Sequence, residues 1–166
     1  MSARLLIRPA APDDRPRLRL AIVELQEYEH TLHPTRLVGE SVADAYLDWM
    51  LHKVKAGGAV LVAEDRGHFA GFVAGWMEQA GNIGETADSN RFGLISDICV
   101  LPAFRGQRIA TRRLDAIGQF LSRTGITRLR VNVLAVNGSA RASYENAGFA
   151  PYEIFYEKLI ETGSSE

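Results

Sequence analysis

The stretch Ile95–Thr111, I-S-D-I-C-V-L-P-A-F-R-G-Q-R-I-A-T, gathers several residues able to do chemistry. Asp97 is the one acid inside an otherwise apolar run, and an aspartate in such a place needs a partner. Cys99, the single cysteine, is either a nucleophile or a small buried residue, and an Ile/Val-rich surround favours the second. Arg105, Gly106, Gln107 and Arg108 form a polar loop that opens into a helix through Ile109, Ala110 and Thr111. The first amides of a helix have no internal partners, and the helix dipole adds partial positive charge there. Strand, loop and helix start therefore make an anion site whose usual guest is a phosphate or pyrophosphate. Further along, Asn137 and Tyr144 bracket a short helical segment. Asn137 suits a turn or cap, and Tyr144 either packs its ring or offers a phenol. His30, His33, His52 and His68 show no metal-ligand spacing, so no metal is expected.

These groups need elements to hold them. Leu5–Arg8 reads as a strand ended by Pro9. Pro12-Asp13-Asp14 and Pro16 start a helix lined by Leu18, Ile22, Leu25 and Tyr28, with Glu24, Glu27 and Glu29 toward solvent. His30–Gly39 is a loop; Ser41 and Asp44 look like a capping box for a second helix that Gly57-Gly58 ends. Ala59–Ala63 and Phe69–Glu78 form a hairpin about Asp65-Arg66-Gly67-His68, and polar Ala80–Asn90 reads as a mobile loop. Phe92–Val100 is a central strand stopped by Pro102. Ala110, Leu114, Ile117 and Leu121 recur at helical spacing. Arg128–Val136 alternates as a strand, Ala140–Ala147 is a helix stopped by Gly148, and Phe149–Ile160 supplies a final strand or strand pair. The order predicts an α/β fold: one domain over residues 1–161, with a mixed sheet of about six to seven strands flanked by about four helices. Thr162–Glu166 is expected to be a disordered tail.

The chain has 166 residues, 46% apolar and 23% charged, with net charge −1. That balance does not suit a basic nucleic-acid binder. One cysteine excludes an internal disulfide framework. No apolar run approaches the roughly 18 residues of a membrane span, and the N-terminus has too short an apolar stretch for a signal peptide. A cytoplasmic location is the expectation. Between Ile98 and Arg141 stand eight arginines (105, 108, 112, 113, 123, 128, 130 and 141) against one acid, Asp115. Such a local positive field suits a polyanionic ligand.

V-x-P-x-x-R-G-x-x-I-A, from Val100 to Ala110, resembles the cofactor-binding segment of the GNAT acetyltransferase superfamily. Arg105 and Ala110 match its ends, while Arg108 stands where that family usually has a glycine. Asn137 to Phe149 is similar to the family's other signature, N-x-x-A-x-x-x-Y-E-x-x-G-F. The resemblance spans about Phe92 to Phe149 and implies an acetyl-CoA-dependent N-acetyltransferase. It implies that Ile98, Cys99 and Val100, beside a strand bulge, and the loop from Arg105 to Thr111 bind acetyl-CoA, together with Asn137 and Tyr144. It also implies that Tyr144 protonates the departing thiolate, and it sets Tyr28, Glu29 and His30 near the acceptor.

Acyl transfer from a thioester requires a neutral amine. A lysine-like amine of pKa about 10.4 is neutral only about one time in 2,500 at pH 7. A base or a desolvating pocket must offset this. Asp97, an ordinarily weak base, suits orienting a water chain or holding the substrate's charge. A small-molecule amine attacking directly in a ternary complex is the leading reading, ahead of an acetyl-cysteine intermediate on Cys99. A protein N-terminus or lysine as acceptor, and a non-catalytic acyl-CoA-binding module, are the competing ones. Homodimerisation is common in that family, and the aromatic-rich end Phe149–Tyr156 offers an edge strand.

Overall fold

The computed structural model describes residues 5–106 and 109–160. Gln107 and Arg108, and the tail Thr162–Glu166, lie outside the described residues. Five strands, β1 (Leu5–Pro9), β2 (Ala59–Asp65), β3 (His68–Gln79), β4 (Arg91–Val100) and β5 (Leu129–Val131), form one sheet in sequence order. All neighbours are antiparallel except β4 and β5, which are parallel. Helices α1 (Arg15–Leu32) and α2 (Gly39–Lys53) cover one face, while α3 (Ile109–Ser122) and α4 (Gly138–Asn146) lie on the other.

Two apolar clusters explain that arrangement. Leu18, Ile22, Leu47 and Met50 of the first helix pair meet Phe72, Ala74 and Trp76 from β3. Leu114, Ile117 and Leu121 of α3 meet Val73 and Ile95 on the opposite face. Successive strand residues point to opposite faces, so β3 divides its side chains between the two clusters. The hairpin turn forms as its sequence requires, with Arg66 at φ 51° and Gly67 at φ 80°.

Several expected boundaries move. The sheet has five strands because Phe149–Ile160 forms none, and β5 is shorter than Arg128–Val136. The residues of that last stretch have strand composition but meet no partner strand, and composition alone does not make a ladder. The first helix continues through His30 to Leu32, shortening the loop behind it. The second helix starts at Gly39, two residues before the expected capping box. There the Glu27 carboxylate accepts the Gly39 amide at 2.7 Å, and Ser41 Oγ donates to the Val38 carbonyl. Asp44 pairs with Arg19 instead of capping. The Ala80–Asn90 loop is cross-braced: Asn90 donates to the Asn82 carbonyl, and Ala80 donates to that of Asn90.

One irregularity matters for the site. Gly75 opposes Ile95 but Ala74 opposes Asp97, which leaves Ser96 as an extra residue, a β-bulge. Ile95 points to the α3 side and Leu94 to the α1–α2 side. After the bulge Asp97 and Cys99 share the face of Leu94, while Ile98 shares that of Ile95. Were Ser96 paired in a regular ladder, Asp97 would share the face of Ile95 and point into the cluster beneath α3.

Candidate active site

Ladder pairing between β4 and β5 ends at Ile95 and Val131. Beyond it the strands part, and a cleft of about 400 Å³ opens between their C-terminal ends. This is where α/β sheets bind ligands. Ser96–Val100 form one wall and Asn132 and Val133 the other; α1, the start of α3, and α4 close the remaining sides.

The acidic side comes from α1 and β4. Asp97 is 8% exposed and accepts hydrogen bonds from Tyr46 Oη at 2.8 Å and Ser96 Oγ at 2.6 Å. Burial pushes its carboxyl above the usual aspartate range, and the two hydroxyl donors partly oppose that rise. Glu29 is likewise raised by burial, with Arg36 opposing and Asp97 adding to the shift. The expectation that Glu24, Glu27 and Glu29 face solvent therefore fails: Glu24 and Glu29 line the cleft, and Glu27 turns to the Gly39 amide. Glu29 lies four residues after Leu25, on the stripe that Leu18 and Ile22 begin, and that spacing was a signal of its inward direction. Leu25 and Tyr28 end in the cleft wall as well. His30 is not on that wall; its Nδ1 pairs with the Arg36 carbonyl oxygen at 2.6 Å.

On the opposite side, Asn137 caps α4, its Oδ1 accepting the Ala140 amide at 3.1 Å, and it lines the cleft at the same time. Tyr144 packs its ring against Phe149, and its hydroxyl has no hydrogen-bond partner among the described residues. Burial pushes its phenol up to about 12, with the charges of Glu29 and Asp97 acting in the same direction. Cys99 contributes to the wall, but its thiol is turned into the core and donates to the Ala21 carbonyl at 3.4 Å. Burial raises that thiol to about 12, so it is not a thiolate at neutral pH. The wall also contains residues that the sequence had not singled out, notably Ser139 and Ser143. Small polar residues on a short helix give no distinctive signal.

The anion end is built from backbone. Gly106 stands at φ +82° with open space where a side chain would begin, as a loop in close approach to a ligand requires. Ile109, Ala110 and Thr111 bring the first turn of α3 to the cleft. The arginine excess is only partly available to it. Among the described residues Arg105 alone lines the cleft, held by the Val100 carbonyl and the Glu24 carboxylate. Arg113 is fully buried, Arg128 pairs with Asp88, and Arg130 stacks over Phe92. A bulged strand with a free edge, a glycine loop and a helix start fit a long ligand with a phosphate-bearing end.

The Acetyltransferase (GNAT) family profile matches residues 22–149, most of the chain and all of the cleft. The chain belongs to the GNAT family. GNAT chemistry is acetyl transfer from acetyl-CoA to an amine, and this protein is an acetyl-CoA-dependent N-acetyltransferase. No curated protein matches it in sequence. Solved structures share its fold. Aminoglycoside N-acetyltransferase AAC(6')-Iy in complex with CoA is 20% identical over 96% of this chain and 98% of that one, with TM-score 0.71. A putative acetyl transferase from Pyrococcus furiosus is 18% identical, covering 95% and 100%, with TM-score 0.70. A predicted acetyltransferase from Clostridium acetobutylicum, with acetyl-CoA, is 17% identical, covering 94% and 96%, with TM-score 0.68. As expected of a GNAT protein, the fold is a mixed α/β sheet with four helices. Among the described residues no group of His, Cys, Asp or Glu could hold a metal ion, and no helix is long and apolar enough to cross a membrane.

Proposed function

We propose that the protein acetylates a primary amine of a small molecule by direct attack within a ternary complex. The observation that carries this reading is the meeting, in one cleft, of the buried carboxyl Asp97 on one side with the phenol Tyr144 on the other. A volume of about 400 Å³ lies in the range of small-molecule sites. The Glu24, Glu29 and Asp97 carboxyls suit a cationic acceptor at that end.

In the proposed reaction the amine nitrogen attacks the thioester carbonyl; the C–N bond forms and the C–S bond breaks. Asp97, its carboxyl made more basic by burial, takes up the amine proton through water, with Glu29 holding the substrate's charge. Tyr144 hydrogen-bonds the departing sulfur. A phenol near 12 is a weaker acid than a thiol at about 8.5, so it supports the sulfur as charge develops and does not transfer its proton beforehand. Asn137 and the edge amides of Ile98–Val100 would hold the cofactor's arm, with Arg105, Gly106 and the start of α3 at its phosphates. The protonated thiol of Cys99, turned toward Ala21, favours direct attack over an acetyl-cysteine intermediate.

The test is a CoA-release screen of small amines and of peptides bearing free N-termini or lysines. Turnover confined to small amines is expected. Turnover confined to peptides would overturn the acceptor class, and CoA binding with no turnover on any amine would favour a non-catalytic binder.

A further inference from the structure

A cation sits where α1 meets the end of β4. The Arg105 guanidinium lies 5.9 Å from the centroid of the Tyr28 ring, and its Nη2 is 3.5 Å from the Glu24 carboxylate. Its Nε donates to the Val100 carbonyl at 3.2 Å. All four residues line the cleft. Glu24 and Tyr28 stand four apart on α1, so they share one helix face. A carboxylate beside an aromatic ring is a seat for an ammonium or guanidinium group. Arg105 also joins the two ends of the cleft. Its backbone leads into Gly106 and the anion loop, while its side chain rests on the helix that carries Glu29.

The hold of α1 on Arg105 is weak. The Arg105 and Glu24 side chains are 52% and 41% exposed, and ion pairs this open to water shift an equilibrium only about five-fold or less. A pyrophosphate offers several charged oxygens to the guanidinium fork and competes well against a single solvated carboxylate. Arg105 also covers the Val100 carbonyl, on the strand that a long ligand would follow through the cleft. Cofactor binding therefore favours drawing Arg105 toward the loop, which leaves the Glu24 carboxylate and the Tyr28 ring without their cation.

We infer that Glu24 and Tyr28 form a cation subsite for the acceptor, filled by Arg105 until the cofactor's phosphates take the arginine away. One carboxylate then serves two cations in sequence. CoA strengthens the binding of the amine, and the amine strengthens that of CoA by the same factor. Glu24 joins the acceptor-binding residues on this account, which rests on the cationic acceptor and on the contact of Arg105 with phosphate proposed above.

Titration calorimetry on the full chain tests it, with CoA and with n-butylamine, an ammonium at neutral pH that has no acetyl group to accept from CoA. Both side chains are exposed, so Glu24→Gln and Arg105→Gln should fold as the wild type does. Glu24→Gln should bind CoA about two- to five-fold more tightly than the wild type, and in an Arg105→Gln background the same change should do nothing. n-Butylamine should bind the CoA-saturated wild type about two- to five-fold more tightly than the protein without CoA. Glu24→Gln should abolish that gain and Tyr28→Leu reduce it, while Arg105→Gln should show the tighter binding with or without CoA. If Glu24→Gln tightens CoA equally in both backgrounds, its charge acts only through the general field and the exchange is overturned. Unchanged CoA affinity in Glu24→Gln beside a loss in Arg105→Gln also overturns it, but leaves Arg105 at the phosphates. Unchanged CoA affinity in Arg105→Gln overturns both. Amine binding that does not rise with CoA overturns the subsite. None of these readouts uses turnover, so a failed acceptor screen and a failed exchange are separate results.

Discussion

Tyr46, on α2, donates its phenolic hydrogen to Asp97 Oδ1 at 2.8 Å across the interface between the helix pair and β4. This bond and that of Ser96 are what hold the Asp97 carboxyl down against the rise that burial causes. Tyr46→Phe removes one of them, so the carboxyl moves further up. The acid limb of the kcat/KM profile should shift to higher pH in this variant. A limb that stays in place would separate Asp97 from the pH dependence.

Asp97 also links stability to pH. In the unfolded chain it ionises near about 3.9, whereas in the fold it holds its proton to higher pH. Between those two values the native state binds more protons than the unfolded one, so stability falls as pH rises. Asp97→Asn carries no such cost. Its stability advantage over the wild type should grow through that window and then level off, while turnover falls by about 10²-fold or more. Denaturation curves across pH, beside a rate assay, check both halves; a variant less stable than wild type at neutral pH would contradict the first.

Tyr144→Phe keeps the ring on Phe149 and removes the hydroxyl. If Tyr144 supports the departing sulfur, kcat should fall about 10²–10³-fold with little change in acetyl-CoA affinity. The comparison needs an accepted amine and a rate limited by chemistry. Turnover near the wild type would remove Tyr144 from the mechanism and leave water to support the departing sulfur.

Cys99→Ala should lose about 1 kcal/mol of stability through the small cavity it leaves, with turnover retained. Native protein should also resist alkylation, because the thiol is buried and protonated. Trapping an acetyl group on Cys99 would reverse the ternary-complex reading.

Arg113 is fully buried on α3, and its guanidinium donates to the carbonyls of Ala70, Phe72 and Cys99. Its Nε has no partner, and burial lowers its pKa to about 10, leaving it charged at neutral pH. Removing it strands those carbonyls, so Arg113→Met should cost about 3 kcal/mol or more in chemical denaturation. Gly71→Ala should be damaging for the same local reason. Gly71 stands at φ +137°, and an added Cβ there would meet the Cys99 carbonyl and the guanidinium. A stable Arg113→Met protein would show that the carbonyls find other donors.

What the sequence made legible was periodic. Leu114, Ile117 and Leu121 declared the buried face of α3, and the apolar run through Ile95 declared a central strand. The Asn137 and Tyr144 spacing survived into the cleft wall. What it concealed depends on contacts made elsewhere. Arg113 reads as one more surface cation because its partners are backbone carbonyls, which every residue has. The Ser96 bulge has no residue-type signature, since an extra residue is visible only against the partner strand. Pro151–Ile160 reads as a strand because its side chains favour one, but a strand also needs a neighbour.

The bulge gives β4 a parity. Up to Ile95 the odd-numbered residues face α3; from Asp97 onward they face α1 and α2. A deletion of Ser96 would therefore straighten the strand without exchanging its faces, since Asp97 would follow Ile95 directly and still point to α1 and α2. What it would remove is the kink and the hydroxyl that Ser96 donates to Asp97. Drawing Ser96 into the ladder instead would turn Asp97 and Cys99 toward the packed leucines of α3 and Ile98 toward Tyr46, reversing which side of the strand is wet.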